Sequence, residues 1–596
     1  ERIWTITVPI FQLEDERGQK FEIKDEYDAL KIIYTLPQNR CHKIYYQIQA
    51  QTDFLPLSTL ALFWEELLLP FVEYSEKDTK LAFQKIEAAR QADQFSLQAR
   101  TKFRKQLPYD RYDNMWKWIL ELEVSTRSPL LMQFASLRGN PTHPLSKLKK
   151  GFNESENQQY APEFAQVFEV PVLAVACGLC RVTKQRQSID VRNYFQAAFP
   201  ETYENWENAV RTKNLNPIHF YPLPIHPFQW KFIKDRFQSD LAEGLILYLA
   251  NTTIDAQASM SLRTLMPTAF GAPHIKLPIN IQTTSMMRTH SPPRVHGGPI
   301  LSRLLDEILA RDLEIAQYLK IMNEPLGIYI KDDAYYQESQ NPSYHLNVLY
   351  KQNPEHCLAE DEIYVPLSAA FEFSPFTNQP LIIDIMQANG IEHNQEALNY
   401  FQDYAWKVIR SQIGLYAAYG IALEGHQQNT ALVFSLDGII QHTVVGDLAG
   451  GVEIYEPILQ MCGWNIKQDI HPTKKHIFEE GEIPEQQLLH TIINYHLLPF
   501  AVILSDSYSI ALEQCLDIIS AMISETISIY RTQPRHLTHE SDVSVYRKEL
   551  ERIERVLLRE DVQVRSLLKM NLAGVYQSIY TSAQNLFRSV NEVVSS

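Results

Sequence analysis

Residues 420–451 read GIALEGHQQNTALVFSLDGIIQHTVVGDLAGG. Two apolar runs, 430–434 and 439–445, flank Asp437-Gly438, a dipeptide that favours a two-residue type I′ hairpin turn. With that turn, Asp447 falls opposite Gln428, next to Asn429 and close to His426. The hairpin then gathers an imidazole, two amides and a carboxylate at its open end, with Glu424 just upstream. Polar groups crowded at the edge of a buried strand are costly unless they are paired or used. Asn and Asp on adjacent backbone segments suit Mg²⁺, a hard cation that prefers oxygen ligands. The plain alternative is a hydrated hairpin end. Upstream, residues 395–419 fit a long helix, with Gly420 at the position after its C-cap.

Two further segments carry basic residues in patterns that suit anions. In SLRTLMPTAFGAPHIKLPINIQTTSMMRTHSP, 261–292, alternation puts Ile275, Leu277, Ile279 and Ile281 on one face and Lys276, Asn280, Gln282 and Thr284 on the other. A polar face lined by Lys276, with Arg263 on a preceding strand, fits a polyphosphate or carboxylate ligand. If Thr283 or Thr284 caps a helix, Thr284 and Arg288 lie one turn apart beside its N-terminus. In GNPTHPLSKLKKGF, 139–152, Pro144 suits the first turn of a short helix and Gly151 its end, so His143 and Lys147 point the same way. A solvated face is the plain reading of either segment alone.

Composition narrows the classes. The 596 residues suggest two to four domains, and 45 % hydrophobic with 21 % charged residues is ordinary for a globular protein. A net charge of −16 argues against a general partner among nucleic acids or anionic membranes, so an anionic ligand needs a local basic pocket. Six cysteines do not make a disulfide framework. Cys177 and Cys180, inside VLAVACGLCRV, read as buried structural thiols rather than zinc ligands. No apolar run of 18 residues and no basic-then-apolar leader stands out, so a cytoplasmic enzyme without a membrane span is the expectation. Strand-like and helix-like stretches mix before residue 150, proline-punctuated strands dominate 155–375, and the pattern beyond 485 is mainly helical. The glycine-rich loops of P-loop and dinucleotide-binding proteins, the nucleophile elbow and the H-E-x-x-H motif do not occur. Phosphate binding would rest on side chains.

Eight pieces stand in order between residues 139 and 451: GNPTHPLSKLKKGF, YAPEF, LPIHPFQW, SLRTLMP, HIKLP…TTSMMR, HGGP, LEGHQQN and GDLAGG. Together they resemble the NRPS-independent siderophore synthetases, the family that includes the aerobactin synthetases. The resemblance implies an α+β fold shaped as a hand, with mixed sheets and a largely helical C-terminal part. It places a thumb at 1–155, fingers at 156–375 and a palm at 376–596. It implies ATP- and Mg²⁺-dependent adenylation of a carboxylate of citrate or a citrate derivative. It further implies transfer of the acyl group to a polyamine, amino acid or hydroxamate nucleophile, in iron acquisition, by a homodimer.

By the same resemblance, Ser261, Arg263, Thr264 and Lys276 contact ATP, and Thr284, Arg288 and His426 surround the phosphates and the reacting carboxylate. Gln428, Asn429 and Asp447 complete the nucleotide and Mg²⁺ site with help from Glu424, while His143 and Lys147 reach the phosphates from the thumb. The chain departs from the family pattern in three places. Asn140 stands where a first histidine is common, Gly446 replaces an Arg before Asp447, and HPFQW replaces HPWQ. Two other readings remain open. A kinase-like phosphotransferase also places a His and Asn loop before a metal-binding Asp, and a small-molecule binding protein would keep the cradle without turnover. Release of pyrophosphate or of ADP separates the first two.

Overall fold

In the computed structural model the described residues are 76–139, 146–284, 286–331, 341–470, 476–558 and 587, with the strands Phe11–Asp15, Lys20–Ile23, Cys41–Tyr46, Leu55–Leu57, Val562–Arg565 and Tyr580–Ala583. The middle of the chain builds a nine-stranded antiparallel sheet. Its order runs Cys180–Lys184, Leu326–Ile330, Asn347–Lys351, His274–Lys276, Thr264–Pro267, Thr253–Ala258, Phe168–Ala176, Phe220–Pro224, with Ile246–Leu247 also on Phe168–Ala176. The prolines of FYPLP sit on the strand that ends this order, where a missing N–H does least harm. Ile275 and Leu277 bury against this sheet's core, and Ile279 and Ile281 in a smaller apolar cluster beside it.

A second, four-stranded sheet follows the order Leu319–Ile321, Ile440–Val445, Thr430–Ser435, Glu362–Pro366, with the hairpin at its centre. Its open end has the predicted register: Thr430 pairs with Val445 and Val433 with His442. The turn differs. Gly438 N–H donates to the Ser435 carbonyl, and Gly438 is left-handed at φ 72°, but Asp437 is not among the positive-φ residues. A type I′ turn needs both central residues left-handed, so the turn sits one residue earlier. Phe434 therefore pairs with Ile440, and an irregularity at Gln441 restores the register.

About half of the molecule is helical, and its C-terminal part largely so. The long helix expected over 395–419 is Asn394–Val408, then a π-helical turn Ile409–Ile413, then Gly414–Tyr419. The wider turn brings Gln412 inward, against Gly425. Gly420 ends the helix in the left-handed region at φ 69°, where a Cβ would lie 2.5 Å from the Tyr455 carbonyl oxygen. Glu482–Tyr508, 27 residues, is long and apolar enough to cross a membrane by length and composition, but 83 % of its apolar window is buried inside the fold. Its apolar residues serve the core there. That core also takes in Trp116 and Phe134, and Trp116 meets Phe434 of the hairpin edge-on at 5.7 Å between ring centroids. Of the two thiols singled out, Cys180 is buried, its pKa pushed up to about 12 by that burial, and Cys177 is partly exposed.

Candidate active site between the two sheets

The hairpin's open end is clamped before it meets anything else. Gly446 N–H donates to the Asn429 carbonyl at 2.9 Å, and the chain then turns at Asp447, left-handed at φ 62°. A non-glycine residue held there costs of order 1–3 kcal/mol and calls for a reason. Glu424 N–H donates to the Gly451 carbonyl at 2.6 Å, and a Cβ on Gly451 would stand 2.7 Å from the Glu424 Cβ. Gly451, the last residue of GDLAGG, is thus what lets the two loops close. Asn429 donates its amide N–H to the Glu424 carbonyl, at 3.2 Å. His426 Nδ1 accepts from the Gln428 N–H at 3.2 Å, so a neutral ring carries its proton on Nε2, 3.8 Å from a Glu424 oxygen. Gln428 itself is exposed at the rim.

The two sheets meet at Lys276, which donates a short hydrogen bond to Asp447. Lys276 is almost wholly buried, so the polar face predicted for HIKLP is covered as well. Burial lowers its pKa to about 8, the Asp447 carboxylate pulling the other way. Burial would raise the Asp447 carboxyl, but Lys276 and Lys351 outweigh it and hold it well below the usual carboxylate range. Thr264 pairs with Lys276 across the strands, and its N–H donates to the Ser261 carbonyl at 2.7 Å, a turn that carries Arg263. Arg263 is buried and donates to the Thr289 carbonyl at 2.7 Å. Gln229 of LPIHPFQW braces the same wall, accepting from the Asn280 N–H at 2.8 Å.

Thr284 and Arg288 do meet, with 3.0 Å between Arg288 Nη2 and Thr284 Oγ1, but not on a helix. Gln282–Thr283 and Met286–Met287 form a tight antiparallel hairpin, with Thr284 left-handed at φ 53°. That φ is incompatible with a helical turn, and Arg288 N–H is taken by the Ile281 carbonyl at 2.8 Å. The hairpin is anchored by two 2.9 Å bonds between the backbones of Lys150 and Gln282.

Lys147 is placed elsewhere. From residue 146 the chain makes a turn rather than the end of a helix, and Lys147 lies buried with bonds to Ser136 O at 2.6 Å and Glu163 Oε1 at 3.0 Å. The Glu163 of YAPEF, 3 % exposed, also takes Lys149 at 2.7 Å. A buried carboxylate needs those cations, so this lysine is not free for a phosphate. His143 lies outside the described residues.

Four residues of the site had no local signal. Lys351 ends a strand next to His274–Lys276, and its ammonium comes 3.7 Å from where a Gly446 Cβ would be, in place of the arginine absent at 446. Glu324, fully buried where the chain crosses between the sheets, accepts the Ala449 N–H at 2.8 Å and faces Lys351 at 4.0 Å. Arg294 acts electrostatically on Arg263, Arg288 and the buried His290. Burial first, then Arg288 and Arg294, lower the Arg263 pKa to about 9; burial and Arg294 lower Arg288 to about 10. Both stay charged at neutral pH. Their depressed pKa values reflect the cost of holding crowded cations that have no ion-pair partner among the described residues. An incoming anion would relieve that cost.

Among the described residues no three His, Cys, Asp or Glu side chains form a ready-made metal cluster. Mg²⁺ typically takes one or two carboxylates plus substrate phosphates. Glu424, Asn429 and Asp447 supply oxygen donors around the clamped loops, so the residues fit such an ion in company with a nucleotide.

Residues 131–372 match the IucA / IucC family, and residues 398–578 match a family described as ferric iron reductase FhuF-like transporter. The latter stretch has two cysteines, Cys462 and Cys515, both buried, where an iron–sulfur cluster held by thiolates takes four. The chain is 29 % identical over 341 residues to the D-ornithine–citrate ligase of Staphylococcus aureus, covering 55 % of this chain and 51 % of that one. The petrobactin biosynthesis protein AsbB of Bacillus anthracis matches in structure with TM-score 0.76 at 19 % identity, over 98 % of this chain and 91 % of that chain. The ATP-bound aerobactin synthetase IucA of Klebsiella pneumoniae matches with TM-score 0.69 at 18 % identity, over 91 % of this chain and 89 % of that chain. The chain shares the fold of these two proteins. It carries an IucA / IucC family domain at 131–372. It spans between 48 % and 65 % of the length of the curated relatives it matches.

Proposed function

We propose that the chain adenylates a carboxylate of citrate, or of a citrate derivative, with Mg·ATP and transfers the acyl group to an amine or hydroxyl nucleophile. The observation that carries this is the crowd of Arg263, Lys276, Arg288, Arg294 and Lys351, balanced among the described residues of the site by Asp447, Glu324 and Glu424. A carboxylate oxygen attacks the α-phosphorus of ATP, and the bond to pyrophosphate breaks. The nucleophile then attacks the acyl carbon, AMP leaves with the bridging oxygen, and the nucleophile gives up its proton. Both steps bring anions or developing oxyanions together, so the barrier is largely electrostatic.

Arg288, held by Thr283 and Thr284, and Lys276, held by Asp447, are fixed before substrate arrives. His426 presents its Nε2 proton to charge growing on the phosphoryl and acyl oxygens. Ser261, Arg263, Thr264, Gln428 and Asn429 are the nucleotide contacts, and Glu424, Asn429 and Asp447 hold Mg²⁺, which supplies further charge stabilisation at the phosphates. The IucA / IucC family domain supports this reading, as does the citrate–amine chemistry in the name of the D-ornithine–citrate ligase. Incubation with citrate, Mg·ATP and hydroxylamine should give citryl hydroxamate and one pyrophosphate per turnover. ADP without pyrophosphate would overturn the reading in favour of a phosphotransferase.

A further inference from the structure

Two stretches of π-helix converge on one glycine. Ile409–Ile413 brings in Gln412, and Leu489–Leu497 brings in Ile492 and His496. Between them lies Gly425, where a Cβ would stand 2.0 Å from Gln412 Oε1 and 2.7 Å from Ile492 Cδ1. His496 is fully buried, and its Nδ1 donates to the Gly425 carbonyl at 3.1 Å. A carbonyl can only accept, so Nδ1 carries the ring proton, while Nε2 is buried without a partner among the described residues. Burial keeps the ring neutral, its pKa lowered to about 4 with the carbonyl pulling the other way. The Gln412 amide, also fully buried, has a partner on neither atom among the described residues. Polar atoms left idle in a core cost stability, so packing alone does not account for either side chain.

The helix register delivers His496 to that carbonyl. Gln487 donates to the Ala422 and Gly451 carbonyls at 3.3 and 3.1 Å, and Thr491 lies 3.5 Å from the Leu423 carbonyl. His496 follows Thr491 by five residues. On an α-helix that step turns about 140° onto another face. The i→i+5 bonding of a π-helix widens the turn and keeps both residues towards the same strand. Such helix is rare, usually a single turn, and frequent at functional sites; this stretch runs for nine residues.

The carbonyl of Gly425 and the N–H of His426 belong to one rigid peptide plane. Beyond that plane His426 is already held, its own carbonyl accepting from the Asn429 and Thr430 N–H groups at 3.0 and 3.1 Å. Before it, glycine restricts its own dihedrals least, and the close approach of Gln412 excludes a larger residue, so the anchor has to come from outside. Resting on the function proposed above, we propose that His496 is a positioning residue: its Nδ1–H fixes the Gly425–His426 peptide and so aims His426 Nε2 at the reacting phosphoryl and acyl oxygens. Buried as it is, His496 acts through His426 alone.

The test is a double-mutant cycle on His496 and His426, read as kcat and KM in the hydroxamate assay. His496→Leu should lower kcat about 10- to 100-fold, the range for a slightly misplaced catalytic group. KM for ATP and citrate should stay within about threefold, because the lost interaction belongs to the transition state. The side-chain amide nitrogen of asparagine takes the place of Nδ1, so His496→Asn should recover most of the rate. Both substitutions leave space beside the Tyr404 ring, whose centroid is 5.5 Å from that of His496, so a packing role alone would cost them alike. His496→Gln, whose amide reaches past the Nδ1 position, should behave as His496→Leu does and replaces it if that variant does not fold, which circular dichroism checks. With His426→Gln already in place, adding His496→Leu should lower kcat by no more than about twofold. Equal kcat losses in His496→Leu and His496→Asn, or a full loss from His496→Leu with His426 already replaced, overturn the inference while the wild type still makes citryl hydroxamate. A wild type that makes none overturns the parent reading, and this inference with it.

Discussion

Lys147 with Glu163 and Lys276 with Asp447 are two of the buried lysine–carboxylate pairs among the described residues. In both, burial lowers the lysine to about 8 while the neighbouring cations hold the carboxyl below its usual range. Their surroundings differ. One Glu163 oxygen collects Lys147, Lys149 and Ser96, and Lys147 spends a further bond on Ser136 O, while the other Glu163 oxygen is buried without a hydrogen-bond partner among the described residues. Asp447 keeps 30 % of its side chain exposed, sits in a strained backbone conformation, and has Lys351 and Arg263 as further cationic neighbours. A buried ion pair is therefore no sign of function by itself. What distinguishes the second is surplus charge, strain and an open side.

The strongest way to break this comparison is to remove each lysine. Lys276→Met should cut pyrophosphate release on the order of 10³-fold, the upper range for one electrostatic stabiliser in a dry site. Loss of less than tenfold would mean that the pair is structural after all. Lys147→Met should do the reverse. Stranding Glu163 among apolar neighbours should cost about 3 kcal/mol of stability, read by denaturant titration, with turnover of the folded fraction within about twofold of wild type. A Lys147→Met enzyme that is stable but inactive would restore the thumb-side role that the sequence pointed to.

How much of this was legible in the chain depends on distance along it. The hairpin's open-end register follows from local pattern, because alternation fixes which residues face the core and a one-residue slip would expose them. It survived a wrong turn type, since an irregularity at Gln441 absorbed the difference. Thr284 and Arg288 were paired for the wrong reason. A four-residue spacing suits a helix, but a tight hairpin brings the same residues together, and periodicity over so few residues cannot separate the two. Lys147 misled because a lysine near histidine and glycine looks alike whether or not a glutamate sixteen residues on claims it. Lys351 and Glu324 were invisible: one is delivered by strand pairing from 75 residues beyond Lys276, the other by the crossing between sheets. Neither NVLYKQN nor NEPLG contains a motif.

A finer distinction lies within the open region. Arg288 is held by two threonine hydroxyls rather than by a carboxylate. Arg288→Lys preserves the charge, but an ammonium cannot reach both hydroxyls and an incoming phosphate in one plane. Turnover should fall on the order of 10²-fold, as for one misplaced transition-state donor, with the fold unchanged. Near-wild-type turnover would show that charge alone suffices there and that the fork serves another purpose.

The smallest expected effect is a pH dependence, and it belongs to the closed pair. Glu163 is held below the usual carboxylate range, where burial acting alone would raise it, because Lys147 and Lys149 act against that burial. Its folded pKa thus lies below the ordinary value of about 4.3 for an unfolded chain. The stabilisation is fully present above that value and is lost as pH falls through the folded pKa, because in that window the unfolded state binds more protons. Glu163→Gln mimics the protonated side chain at every pH. The wild type should therefore be the more stable of the two at neutral pH, and the gap should narrow on acidification by up to about 1.4 kcal/mol per pH unit, the value for one proton. Denaturant midpoints measured from pH 7 down to pH 3 read this directly. A gap that stays constant across that range would mean that Glu163 acts by shape and not by charge, and that the two lysine–carboxylate pairs are less alike than their burial makes them look.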